Sequence, residues 1–474
     1  MIDFSKQRAA AKWSEDVERR KRASRYIDYY RNNQSEHLSD ILHKLYPKEW
    51  DIMSKYATTY ALTSALIDDM ALVFQTPADI SIEANDAQQD KLAELIDQSH
   101  LPTRLIQADR YAELLNKVGI CPRWHTDQKY IVLDLITPDR CIVEQDPQDH
   151  ARALKVSYYL SEMENTPNGN DTGRWAVWTA EEYREVRLGA DGQEIGETLK
   201  AEPNPYKRIP IAWFTTSAEL DEFWPDNGSS IVAANEVVNL RLTNLQIMLD
   251  YQAFSTLVTK GLPESQTIPW GVTHRLNIPY TASGDMMGGA EYITPSPKIT
   301  EYWEITNQYI TNVARLNGLS AQSFSRDASS FTSGYQLKLS KQDIINRNVL
   351  KREFYRESVR ELVILMMECY SINNNFRFPP NPEVTIDFAD IAFESNPLEQ
   401  EQLYAMRLSN GTIDRVQILM NQNPDLTEEM AEEKLAKIQE RNARRNSNAV
   451  NQMDNLNAAL GVEDEDDNGT GETV

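Results

Sequence analysis

Cysteine is scarce in this chain: only Cys121, Cys141 and Cys369 occur, with no CxxC pair and no histidine cluster beside them. That excludes a disulfide scaffold and a tetrahedral zinc site, and it reads all three as buried thiols in a reducing compartment. Long apolar runs are missing as well. No stretch approaches the roughly 18 consecutive apolar residues that a membrane span needs, and the opening MIDFSKQRAA lacks the apolar core of a secretion signal. The expectation is a protein with no membrane partner that stays in the cytoplasm where it is made. Basic charge is short too, with 48 Lys and Arg against 72 Asp and Glu and a formal charge of -24. Proteins that grip nucleic acid neutralise phosphates with basic patches, so tight DNA binding is not expected. The sequence has no GxxxxGK[ST], HExxH or GxSxG, which argues against a nucleotide-driven motor, a zinc protease and a serine hydrolase. Asp68 and Asp69 are adjacent on a helical stretch and point to different sides, a poor acid/base pair. No catalytic residue, metal or cofactor is expected.

What is present is a mixed pattern of the α+β class. At 474 residues the chain is long enough for two to four domains. Residues 1–118 read as helices: one pattern to about Leu45, a second from Trp50 to the stop at Pro77, and a third from Gln88 to Lys117. From Gly119 to Gly228 short apolar runs dominate, bounded by Pro, Asp and Gly: YIVLDLI, RCIVEQ, ALKVSYYL, RWAVWT, REVRL and IPIAWF. Those are strands of a mainly antiparallel sheet. Helical spacing returns over 229–260. A Pro/Gly-rich insert follows at 261–297, then a helix over 298–317, a Ser-rich loop at 318–334 and a long helix over 335–375. Residues 376–446 read as a small domain with one strand, VTIDFAD, and three helical stretches, ahead of an acidic tail at 447–474.

Within 229–260, Ile231, Val238, Leu242, Leu245 and Leu249 step by seven, four, three and four, which lines up one apolar seam. Val237, Ile247, Met248 and Tyr251 lie off it, so the helix is apolar on more than one side and must be packed on more than one side. Burial inside one domain and contact with a second subunit both satisfy that pattern. The loop 318–334 holds six serines with Arg326 and Asp327 between glycines, which suits either a solvated connector or a segment that touches a phosphate backbone without reading bases.

This order, together with the local texture of NPYKRIPIAWF, of DNGSSIVAANEVVNLRLTNLQIMLDYQAFSTLVTKG, of LITPDRCIVEQD and of ARLNGLSAQSFSRDASSFTSGYQLKLSKQDIINRNVLKREFYRESVRELVILMM, resembles the portal proteins of tailed bacteriophages over Gln128 to Tyr370. The resemblance implies a mainly helical portal fold: a wing of helices and strands, two stem helices (229–260 and 298–317), a clip (261–297), a tunnel loop (318–334), a long helix (335–375) and a helical crown (376–446). It implies a structural, non-enzymatic subunit of a ring, usually of twelve, at one vertex of the virion capsid, assembled in the host bacterial cytoplasm. Its partners would be the terminase, then the head-completion or adaptor protein, with the major capsid and scaffolding proteins around it. Double-stranded DNA would be touched transiently and without sequence preference. The implied clip contacts are Trp270, Tyr280, Met286 and Met287, and the implied ring contacts are Val237, Val238, Leu242, Leu245, Met248, Leu249 and Tyr251. The implied channel loop comprises Gly318, Ser323, Phe324, Ser325, Arg326, Ser329, Ser330, Phe331 and Gly334, with the two glycines as hinges. Phe324 and Phe331 either anchor the loop to the stem or face the DNA. Another virion connector or adaptor subunit, and an enzyme acting on nucleic acid through scattered carboxylates, stand as the alternative readings.

Overall fold

The computed structural model describes residues 4–161, 171–189, 194–216, 222–225, 229–252, 256–260, 275–278, 289–293, 298–319, 342–380, 382–389, 397–423, 426–438 and 440–441. It divides into two compact units, one built from 1–328 with 339–392 and the other from 329–338 with 393–474.

The first unit opens with helices α1 (Phe4–Tyr30), α2 (Ser35–Leu45), α3 (Trp50–Met53) and α4 (Leu62–Met70). The continuous helix expected from Trp50 to Pro77 is therefore broken: a short 3-10 turn, Ser54–Tyr56, leads into non-helical backbone at 57–61. The cause lies far along the chain, in a helix that captures the backbone groups of that break. Strand β1 (Asp79–Ile82) follows, then α5 (Asp86–Gln98) and α6 (Leu101–Leu115). The single helix expected over Gln88–Lys117 divides at His100, which takes a left-handed φ of 53°. Pro102 sits in the first turn of α6, where its missing N–H is harmless, but inside one continuous helix it would break the ladder.

Two antiparallel sheets come next. In one, β2 (Lys117–His125) lies between β3 (Tyr130–Ile136) and β9 (Ala212–Thr215). The other is a meander, β4 (Cys141–Gln145), β5 (Ala153–Ser161), β6 (Asp171–Trp178), β7 (Glu182–Gly189) and β8 (Lys200–Pro203). Strand β2 escaped the sequence pattern because Gly119 and Pro122 interrupt it. Pro122 is tolerated because β9 pairs only with Lys117 to Ile120, leaving that side of Pro122 without a ladder. Gly119 is required: a Cβ there would lie 2.7 Å from Ile211 and 2.9 Å from Trp213.

Helix α7 spans Ser230–Gln252, about 35 Å at 1.5 Å per residue. It is shorter than the expected 229–260, because Thr256–Lys260 is strand β10, paired parallel with β11 (Arg275–Ile278) and antiparallel with β12 (Gly289–Ile293). Helix α8 covers Ile299–Leu316 and α9 covers Gln342–Asn373. Strand β13 (Val384–Asp387) pairs with β1, Ile80 opposite Ile386. VTID thus belongs to the first unit, and the expected small domain at 376–446 begins later, at 393. That second unit holds α10 (Pro397–Ser409), α11 (Arg415–Gln422, capped by Asp414 and Gln417) and α12 (428–438).

One core runs through α1, α4, α6, β2, α7, α8 and α9. The expected division of the wing at residue 118 therefore does not separate two cores: the helices bury their single apolar faces against the sheet β3-β2-β9 and against α9. Phe74 stacks on Tyr355 at 5.5 Å and Phe214 meets it edge-on at 5.6 Å.

The break at 57–61 is held by a polar ladder on α7. Asn235, Asn239 and Thr243 stand one turn apart and are fully buried. Thr58 N–H donates to Thr243 Oγ1 (3.0 Å), Tyr60 N–H to Asn239 Oδ1 (2.8 Å) and Thr63 N–H to Asn235 Oδ1 (2.9 Å). Asn235 Nδ2 and Gln34 Nε2 both donate to the Tyr60 carbonyl, and Asn239 Nδ2 donates to Gln34 Oε1. Asn239→Ala strands the Tyr60 amide and the Gln34 carbonyl in the core, and each unsatisfied group costs about 1–3 kcal/mol. The urea midpoint of the variant should fall accordingly; an unchanged midpoint would show that the ladder does not hold the segment.

Candidate functional site

Helices α7 and α8 are joined where the Arg241 guanidinium lies 4.7 Å from the centre of the Tyr309 ring. Helix α7 has three occupied sides. Ile231, Val232 and Val238 enter the main core, the Asn/Thr ladder binds 57–63, and Leu240 and Ile247 pack on Leu38, Leu42 and Met53. Helix α8 turns Thr306, Ile310, Val313 and Ala314 inward. Its opposite side is open and polar, a shallow groove of Glu304, Asn307, Gln308, Thr311 and Asn312, with exposed Arg315 one turn beyond Thr311. Beside it stand exposed apolar residues, Ile305 at 57% and Leu316 at 84% exposure.

Helix α8 stops at a glycine cap. Gly318 has φ +82°, its N–H donates to the Arg315 carbonyl, and the Leu319 N–H donates back to Ala314 O, each at 3.0 Å. This is the Schellman arrangement, and Leu319 is buried beneath it. The hinge expected at Gly318 is thus a fixed helix stop, required to be glycine by its left-handed backbone.

Behind this stop lies a charge cluster that the sequence reading missed. Arg347 donates to the Asn317 carbonyl (3.1 Å) and to Glu113 (2.6 Å). Lys351 bridges Asp109 (2.8 Å) and Glu113 (2.6 Å), and Asp109 also accepts from Tyr355 Oη and Val73 N–H. Asp109, Glu113 and Lys351 have side chains no more than 2% exposed. Burial pushes the Asp109 carboxyl above the usual carboxylate range while Lys351 pulls it back. Burial also raises the Tyr355 hydroxyl, with Asp109 adding to it. The available signal was the spacing: acids at i, i+4 on α6 and bases at i, i+4 on α9, both inside apolar stripes.

Of the expected ring contacts, Val238 is corrected: it is fully buried in its own subunit's core and has no surface to offer. Val237, Leu242, Leu245 and Met248 are half-buried and Leu249 is 37% exposed. The Tyr251 side chain lies outside the described residues. So do Trp270, Tyr280, Met286 and Met287 of the insert, and Ser323, Phe324, Ser325, Arg326, Ser329, Ser330, Phe331 and Gly334 of the loop. All three cysteines are free and buried, as expected, and burial raises each thiol, Cys369 to about 11. Among the described residues no cluster of His, Cys, Asp and Glu is arranged to hold a metal ion, and no helix there is long and apolar enough to cross a membrane.

Residues 9–447 match the family model described as "Phage portal protein, SPP1 Gp6-like". The chain belongs to this phage portal family. Among solved structures, a chain titled "Virion of native gene transfer agent (GTA) particle" is similar at 12% identity with a TM-score of 0.40, covering 78% of this chain and 92% of that one. No curated protein matches. The portal protein is a structural component of the phage virion, and its family is not one of enzymes. The match runs from within α1 to beyond α12, so the charge cluster and the pair α7 and α8 lie within it.

Two groups in the first unit give testable consequences. Lys351→Met leaves Asp109 and Glu113 buried with Arg347 alone, and breaking such a pair costs about 3–5 kcal/mol. Chemical denaturation should show that loss, and Asp109→Asn in the same chain should recover part of it; additive losses would show no coupling. Lys117 places its ammonium 3.7 Å from the centre of the Phe223 ring, and burial lowers it from 10.5 to about 8. Below pH 8 it is charged in both folded and unfolded chains, with burial opposing folding. From pH 8 to 10.5 the folded form sheds the proton first, so its contribution to stability rises with pH. Lys117→Met should therefore be more stable than wild type at pH 7, by a margin that shrinks towards pH 10. A constant margin would place the cause elsewhere.

Proposed function

We propose that this portal protein is one subunit of a closed ring that surrounds the DNA channel at one capsid vertex, through which the genome is packaged and later ejected. The observation that carries the reading is the outer side of α8. Its groove of Glu304, Asn307, Gln308, Thr311 and Asn312 offers mostly amides and hydroxyls, and past Arg315 it leads to the capped end at Gly318 from which the loop departs. A wall facing a moving polyanion works by not holding it, because phosphate affinity comes from released counterions at Lys and Arg. The chain's formal charge of -24 is in keeping with such a wall.

A ring uses a head-to-tail interface in which each subunit offers two unlike faces. Ile305 and Leu316 of α8 and Leu249 of α7 are apolar and exposed in the single chain, which suits them to that role together with half-buried Val237, Leu245 and Met248. The family usually closes with twelve subunits. Residues 261–297, with Trp270, Tyr280, Met286 and Met287, serve as the clip that receives the terminase and then the adaptor. The wing meets the capsid and scaffolding proteins during assembly in the host cytoplasm. The loop 318–334 touches the DNA transiently through its hydroxyls and Arg326.

One experiment tests ring and loop together. Rings of Ser325→Lys/Asp327→Lys, verified by negative-stain imaging, should package less DNA per capsid than wild type, because two added cations beside Arg326 retard the phosphates. A wild-type amount would show that the loop does not meet the DNA, and wild-type particles without a central hole would overturn the ring.

A further inference from the structure

A cleft opens where α1 meets the end of α6 and the segment 222–225, walled by Arg19, Arg22, Tyr26, Asn116, Trp224 and Pro225. Its walls are held in place from several sides. Arg19 donates to the Pro138 and Cys141 carbonyls at 2.9 and 2.8 Å and sets its guanidinium 4.8 Å from the centre of the Trp224 ring. Asn116 Nδ2 donates to the Pro225 carbonyl at 3.3 Å, tying 222–225 to the end of α6. The Tyr26 hydroxyl accepts from the Ser229 N–H at 3.0 Å. Trp224 is 8% exposed, yet its indole N–H has no acceptor among the described residues. A buried donor left unpaired is costly, so a fixed cleft beside one calls for an acceptor brought to it.

Charge and size say which acceptor. Two of the walls carry guanidinium groups and none carries a carboxylate; Asp16, which pairs with Arg19 and Arg20, is not among them. Arg19 and Arg22 close the run Arg19, Arg20, Lys21, Arg22, four consecutive basic residues without a match elsewhere in a chain of formal charge -24. Positive charge gathered at one place in an acidic protein attracts an anion there. The space is small, about 40 Å³, and Leu115 and Pro138 give it an apolar side. It admits a carboxylate on a methylene stem, whereas the phosphates of a duplex cannot leave their rod to enter it. We propose that this cleft takes an Asp or Glu side chain from an acidic peptide segment of a protein partner, the Trp224 N–H donating to the carboxylate and Arg22 standing beside it. The inference does not depend on the ring, since every wall named comes from one chain.

The test titrates the full chain by calorimetry with hexaglutamate, with hexalysine and a short DNA duplex as the other probes. Wild type should bind hexaglutamate and not hexalysine. Trp224→Phe keeps an aromatic ring beneath Arg19 and removes the N–H, and should weaken binding about tenfold, the low end for a hydrogen bond to a charged group. Arg22→Gln, at an exposed position, should weaken it to a similar degree and flatten its dependence on salt. Hexaglutamate that fails to bind wild type, or that binds either folded variant as tightly, would overturn the proposal. A duplex that displaces the peptide from wild type would overturn it too, by assigning the cleft to phosphate. Where Trp224→Phe does not fold, Arg22→Gln decides, because that side chain has no part in the core.

Discussion

Asp109 and Glu113 stand one turn apart on α6, Arg347 and Lys351 one turn apart on α9, and the four meet where the helices cross beneath the sheet β3-β2-β9. Asp109, Glu113 and Lys351 lie in a space that admits almost no water and, with the partly exposed Arg347 at its edge, must stay paired, because desolvating one of the buried charges alone costs several kcal/mol. That requirement helps to set the register of α9 against α6, since a buried charge moved off its partner is costly. The rest of the subunit is positioned from α9: Tyr355 organises the aromatic contacts with Phe74 and Phe214, and Arg347 holds the carbonyl at the end of α8.

Helix α7 obeys a second constraint of the same kind. It contacts 57–63 through amides and a hydroxyl that satisfy the backbone of a non-helical segment, with apolar contacts on either side. Buried amide networks are directional where apolar contacts are not, so they help to fix the rotation of α7 as well as its position. The open side of α8 remains free of such commitments.

Much of this was legible in the sequence where a signal is local. Alternation in Tyr130–Ile136 and Ala153–Ser161 located β3 and β5 to within a residue, and helical spacing located α8 within one residue at each end. The losses share a cause. Strand β1 is four residues, DISI, recognisable only beside a partner about 300 residues later. The break at 57–61 reads as helix until Asn235, Asn239 and Thr243 are brought to it. Lys351 and Glu113 are 238 residues apart, so their spacing on each helix signals nothing until the helices are side by side. The apolar seam of α7 was correctly periodic, but Val238 within it serves its own core, and another side of the helix is polar. Gly318 was noticed for its flexibility, whereas its left-handed φ ends a helix.

The burial of Cys121, Cys141 and Cys369 has a practical consequence. A thiol must ionise and meet its reagent to be alkylated, and these three do neither readily, with burial raising each above the ordinary thiol range. The native chain is thus close to silent towards maleimides without any cysteine being removed. A single cysteine introduced on the open side of α8, at Gln308 for example, becomes the one addressable position per subunit, and fluorescent or spin probes can be placed there against an unlabelled background.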